Sequence, residues 1–223
     1  MTKTRRVYKL TDESGRTHND TQWGPGVRHE ATGIGPLCSA GWIHCYTDPL
    51  LAVLLNPIHA NFSTPRLWEA QAKAPYLEDR GLKLGARALT TVRELHVPTI
   101  TTDQRVTFAI LCAQVVVGDR LPLWSAWAEE WLAGRDRSPA AAARAAEAAA
   151  RAAAASPWAA WAASPWAAEA AARAAEAAAR AAEAAAWAAR AAEAAAWAAE
   201  AAARAAEINL IALAHQACGA LDD

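Results

Sequence analysis

The 223-residue chain has no Cys-x-x-Cys pair, no glycine-rich loop running into Lys-Ser or Lys-Thr, no 18-residue run of strong hydrophobes and no surplus of either charge. Each absence removes a class of function. The cysteines are four, Cys38, Cys45, Cys112 and Cys218, and none is closely paired as compact zinc and redox motifs require. A net charge of -1 produces no global field toward nucleic acid or anionic lipid, so neither is an expected partner. The 54% hydrophobic content is inflated by alanine, which a bilayer scarcely rewards, and the alanine-rich part carries charges every few residues, so no transmembrane span is expected. The start, "MTKTRRVYKLTDESG", is basic with no apolar run behind it, unlike a signal peptide. Reduced thiols and a cytoplasmic location follow as the expectation. "GIGP" is too short to cradle a phosphate, and no cofactor motif is present.

What is present changes sharply along the chain. Residues 1–100 are mixed and rich in Gly, Pro and aromatics, and predict a small α+β domain. "RRVYKL" alternates like a strand, and "GWIHCYT", "PRLWEAQAK" and "RALTTVREL" suggest more. Asp48-Pro49 is an N-cap followed by proline at the first helical position, so "LLAVLL" reads as a helix that Asn56-Pro57 should end. Residues 101–137 predict connecting helices. "TTDQ" at Thr101 to Gln104 matches a capping box, and Gly118-Asp119 should break the helix it opens. Trp124, Trp127 and Trp131 fall three and four apart, on one face that should pack on a core.

Residues 138–223 predict a predominantly helical, alanine-rich part. Ser138-Pro139, Ser156-Pro157 and Ser164-Pro165 each mark a helix start or kink. From Pro165 to Glu207 nothing interrupts, and alanine has the highest helix propensity, so one long helix of roughly 60 Å is expected. Its other residues, among them Glu169, Arg173, Glu176, Arg190, Glu193 and Glu200, recur at gaps of three or four. This stripe should face water while the alanines face protein. Asn209 should cap a short final helix that docks on the helices of residues 101–133.

Candidate chemistry is concentrated in "RHEATGIGPLCSAGWIHC". Arg28, His29, His44, Cys45, Tyr46, His59 and Arg66 are ligand-binding candidates, suited to an anionic or nucleotide-like molecule. A cysteine–histidine pair would be a nucleophile. No metal is expected, because the spacings match no zinc signature and adjacent His44 and Cys45 would point to opposite faces of a strand. No residue carries a specific catalytic signature. Trp158, Trp161, Trp166, Trp187 and Trp197 are candidates for self-association or a protein partner, since exposed tryptophan is typical of interfaces.

"WGPGVRHEATGIGPLCSAGWIHCYTDPLLAVLLNPIHANF", "PRLWEA" and the tail "INLIALAHQAC" resemble a group of uncharacterised bacterial and phage-borne proteins. The shared features are a Gly-aromatic-x-His-Cys strand, here "GWIHC", and alanine repeats punctuated by Trp, Glu and Arg. No catalytic residue can be carried over. The helical part and its tryptophans point to a non-enzymatic structural or protein-interaction role, and the phage association in the resemblance implies that it is host-interacting. The alternative is a small-molecule or nucleotide-binding protein or enzyme with a His/Cys-lined pocket in the N-terminal domain.

Overall fold

The structure, a computed structural model, describes residues 4–154, 165–181 and 188–219. It divides into two units, Met1–Thr99 and Ile100–Asp223. The first is mixed α+β and the second is helical.

In the N-terminal unit, β1 (Thr4–Thr11) pairs antiparallel with β6 (Arg66–Asp79), which turns back into β7 (Lys83–Leu95). The turn places Arg80 at φ 46° and Gly81 at φ 79°, with Leu82 N–H bonded to Asp79 O at 2.7 Å. Two left-handed residues give the turn a twist that matches a hairpin. Two short strands, β4 (Arg28–Glu30) and β5 (Ile43–Cys45), also pair with β7. The small β2 (Arg16–Thr17) and β3 (Thr21–Gln22) form a separate ribbon. One face of the main sheet gathers Val7, Ala70, Ala72, Leu84, Ala86 and Leu89, covered by Trp23.

Helix α1 (Pro49–His59) opens as the sequence predicts, with the Asp48 carboxylate accepting from Leu51 N–H at 3.0 Å. It does not end at Asn56-Pro57. A proline in the last turn gives up only its own N–H. The Ala60 and Asn61 N–H groups still return to Asn56 O, and the Asn56 carboxamide both donates to Phe62 O and accepts from Phe62 N–H. The extra turn carries His59.

In the helical unit, α2 (Thr102–Val117) starts with the full capping box, Thr101 Oγ1 accepting from Gln104 N–H and Gln104 Oε1 accepting from Thr101 N–H. Helix α3 (Pro122–Leu132) buries Trp124, Trp127 and Trp131, whose rings follow one another at 5.8 and 6.1 Å. Helices α4 (Pro139–Ala154), α5 (Pro165–Ala181) and α6 (Ala188–Ala205) are the alanine repeat, and α7 (Leu210–Cys218) is the final helix. Helix α2 packs against α5, α6 and α7, and Trp124 Nε1–H donates to Ala171 O at 2.8 Å.

The single 60 Å helix expected from Pro165 to Glu207 is not what forms. Helices α5 and α6 lie side by side, and the Arg204 guanidinium near the end of α6 sits 5.8 Å from the Trp166 ring at the start of α5. They therefore run antiparallel. Propensity favours helix everywhere in the repeat but does not say where it turns. A lone rod would leave its alanine face in water, whereas paired helices bury it. The stripe faces outward only in part: Glu169, Arg190 and Glu193 are exposed, Arg173, Glu176 and Glu200 are half-buried, and Ala170, Ala174, Ala194 and Ala198 are buried. Glu200–Arg204 and Glu169–Arg173 form ion pairs at 2.6 and 3.8 Å. The expected breaks at Ser156-Pro157 and Ser164 lie outside the described residues. Among the described residues, no helix is long and apolar enough to cross a membrane.

If methyl-sized contacts set the helix spacing, Ala174→Leu should destabilise the helical unit by about 1–3 kcal/mol through overpacking. Glu193→Gln, on the outward stripe, should change it by less than about 0.5 kcal/mol. Urea unfolding followed by circular dichroism measures both.

Candidate functional site

The chemistry of the N-terminal unit converges on a cleft of about 600 Å³, lined by Lys9, His18, His29, His44, His59 and Lys83 among others. A recess of about 90 Å³ shares Lys9, Thr17, His18, His44, His59 and Lys83 with it, and adds Leu10, Tyr46, Ala60 and Phe62. The volume falls within the range of small-molecule sites.

One wall is the loop of residues 32–42, which lies flat on β7. Gly85 makes this approach feasible: a Cβ there would stand 2.4 Å from the Leu37 side chain. Gly41 is equally constrained, because its Cβ would meet Ile34 O at 1.9 Å. Trp42 Nε1–H donates to Gly35 O at 2.9 Å and Ser39 Oγ–H to Pro36 O at 2.7 Å, closing the loop on itself. The loop thereby holds Leu37 O 2.6 Å from His44 Nε2. A carbonyl only accepts, so the Nε2 atom carries the proton and Nδ1 keeps a lone pair. Burial holds the His44 imidazole below its usual pKa, against the opposing pull of that carbonyl, and the charges of Lys9, Lys83 and His18 lower it further.

The opposite wall carries His18 and His29. His18 lies in a short 3-10 turn, His18–Asp20, in which Asn19 takes φ 62°. His29 stands edge-on to Trp23 with ring centroids 4.6 Å apart, and its Nε2–H donates to Gln22 O at 2.8 Å. His59, delivered by the extra turn of α1, stacks on Tyr46 at 5.9 Å, with the Tyr46 hydroxyl 3.3 Å from its Nδ1. Burial raises the Tyr46 phenol well above its usual value, so it keeps its proton.

The floor is Lys9. It shares the face of β1 that carries Val7, and so stands on the apolar side of the sheet. Only 9% of the residue is exposed. Its Nζ donates to His44 O at 2.8 Å and lies 5.3 Å from the centre of the Trp23 ring. Among the described residues no carboxylate pairs with it. Burial lowers its pKa from 10.5 to about 8, partly countered by the neighbouring Cys45 thiol. Beside it, Lys83 Nζ is 3.2 Å from the exposed Cys38 Sγ.

The structure thus brings together His29, His44, Tyr46 and His59 from the candidates read in the sequence. Three others stand elsewhere. Cys45 is fully buried under the sheet, its Sγ 3.5 Å from Leu84 O and its thiol pushed up to about 12, so it supplies no thiolate to the cleft. Arg66 is held by both oxygens of Glu94 at 2.7 and 2.5 Å and lies over Trp68. Arg28 pairs with Glu30 and borders a separate, smaller hollow with Lys73 and Arg87. In the helical unit Trp166 and Trp197 are 44% and 41% exposed, while Trp158, Trp161 and Trp187 lie outside the described residues. Among the described residues, no three His, Cys, Asp or Glu side chains are placed to hold a metal ion.

Lys9, Lys83 and His18 escaped the sequence reading. Lys9 did leave a signal. In "VYKLT" the alternation that puts Val7 inward also puts Lys9 inward, and an inward lysine on a strand is unusual enough to mark a site. Lys83 reads in "RGLKLGAR" only as part of a weak basic patch with Arg80 and Arg87, and His18 left no signal, because their place in the cleft depends on strand register and on a turn. Compared with protein-family models, curated proteins and solved structures, the chain has no match. The cleft's own residues therefore define the class: a cation-rich, aromatic-lined pocket on an antiparallel sheet.

A buried, unpaired ammonium opposes folding. Its folded pKa lies below the unfolded value, so the unfolded chain binds more protons between pH 8 and 10.5. Stability at this site must therefore rise across that window. Lys9→Met should stabilise the protein at pH 7 by on the order of 1–3 kcal/mol, and the advantage should shrink between pH 8 and 10.5. Urea unfolding at pH 7 and pH 10, followed by tryptophan fluorescence, measures it.

Proposed function

We propose that the N-terminal unit binds a small anionic metabolite, of the phosphorylated class, in the cleft over Lys9. The observation that carries this reading is the Lys9 ammonium, buried on the apolar face of a sheet without a carboxylate. Buried charges are normally paired, and an anionic ligand completes the pair. Lys83 lines the same space and adds positive charge, and the imidazoles of His18, His29, His44 and His59 offer ring nitrogens to a ligand. Among the described residues the one carboxylate in the lining, Glu30, is paired with Arg28. The aromatic faces of Trp23 and Trp42 supply apolar wall for the remainder of such a ligand.

Isothermal titration with inorganic phosphate and with nucleoside monophosphates at pH 6.5 tests the proposal. Lys9→Met should weaken binding at least about tenfold, as loss of a charge-assisted contact requires. Arg66→Gln, outside the cleft, should leave it unchanged. Affinity should fall as pH rises past 8, where Lys9 gives up its charge. Absence of heat with every anion at millimolar concentration would reject the reading.

For the helical unit, protein interaction remains our proposal, supported by Trp166 and Trp197, each more than two-fifths exposed. Trp197→Ala should abolish self-association in sedimentation velocity. A wild-type protein that sediments as a monomer, with no partner, would count against it.

A further inference from the structure

We infer that Lys9 is an imine-forming nucleophile, and that the cleft's ligands include aldehydes or 2-oxo acids bearing a phosphate or carboxylate group. This rests on the anion-binding reading for the ligand's charge. The reactivity of the amine has a separate basis.

A lysine becomes a nucleophile at neutral pH when its surroundings penalise the ammonium and leave its nitrogen accessible. Lys9 meets both conditions. Its stem rises from the sheet face that holds Val7, and it lines both the cleft and the inner recess. Among the described residues, the hydrogen bond from Nζ goes to a carbonyl, His44 O, which accepts an N–H from the amine as readily as from the ammonium. That bond fixes one N–H and leaves the rest of the nitrogen free to turn toward the cleft. A carboxylate partner would have locked the ammonium form, and among the described residues none is present. With burial holding its pKa near 8, a substantial fraction of Lys9 is the free amine at pH 7.5–8.

The chemistry closes on ordinary groups. The neutral amine adds through its lone pair to the carbonyl carbon, and the C=O pair moves to oxygen. The resulting carbinolamine takes up a proton on that oxygen and loses it as water. Nitrogen gives up its two hydrogens in the sequence, one to each O–H bond of the departing water, and a C=N bond remains. His44, with Nδ1 unprotonated, lines the same cleft and is the imidazole we assign to carry the proton between nitrogen and oxygen. Lys83 serves differently. It is half-buried against Cys38 Sγ and offers charge to the ligand's anionic end.

The chain supplies its own controls, because it has only four lysines, Lys3, Lys9, Lys73 and Lys83. The full chain is incubated with pyridoxal 5′-phosphate at pH 8, and borohydride then delivers hydride to the C=N bond to trap it. Peptide mass mapping locates the adduct. The expected result is an imine absorbance band and labelling of Lys9 at least about tenfold faster than of the other three. The rate should rise with a midpoint near pH 8, fall about tenfold with unphosphorylated pyridoxal, and be suppressed by excess inorganic phosphate. Lys9→Arg should remove the fast adduct, because a guanidinium does not form an imine at pH 8. The wild-type pH profile stands as the test if that variant fails to fold. Labelling spread evenly over the four lysines, or a Lys9 that stays unmodified, overturns the inference. If phosphate binds but Lys9 is not labelled, only the imine falls. If neither phosphate nor the aldehyde engages the cleft, the binding reading falls with it.

Discussion

The hydrogen bond from Lys9 Nζ to His44 O joins β1 to β5, two strands that the sheet otherwise separates by β6 and β7. Tyr8 and Tyr46 exchange backbone hydrogen bonds beside it, both at 2.8 Å, so β5 is drawn over the sheet near β1. The loop ahead of β5 then has to lie on β7, and it can do so because Gly85 has no side chain there. Helix α1, starting just after β5 at Pro49, returns His59 against Tyr46. The Lys9 contact lies at the centre of this arrangement, beside the backbone bonds that hold it. Its energetic sign is adverse for stability, since the amine is desolvated and unpaired. Proteins keep such groups where function uses them.

The helical unit solves a different problem with few residue types. Alanine buries little area per residue, so α4, α5 and α6 gain their cohesion from close approach along their length. Helix α2 is buried on most sides, with Phe108, Ile110 and Val106 fully enclosed, and the tryptophans of α3 provide bulk that alanine lacks.

Much of this was readable from local chemistry. Asp48-Pro49, the Thr101/Gln104 box, Ser138-Pro139 and Asn209 all mark helix starts where the structure has them. These signals are legible because a cap satisfies backbone groups within three residues. The alternation in "RRVYKL" gave the first strand for the same reason. Long-range consequences were not legible. The repeat looks alike at every position, so nothing local distinguished one helix from two. His29, His44 and His59 were singled out by residue type, yet their convergence depends on β4 and β5 both pairing with β7. Cys45 and Arg66 looked equally reactive, and only burial and the Glu94 partner remove them from the cleft.

The uniformity of the buried alanine surfaces has one more consequence. When nearly every enclosed side chain is a methyl, sliding one helix along its neighbour by a turn exchanges alanine for alanine, and the two arrangements differ little in apolar contact. Shape alone gives no registry between α5 and α6. The α5–α6 alignment is then keyed by an unlike pair, Arg204 over Trp166, as Trp124 Nε1 on Ala171 O keys α5 to α3. Two bulky indoles thus act as the teeth of an otherwise smooth rack.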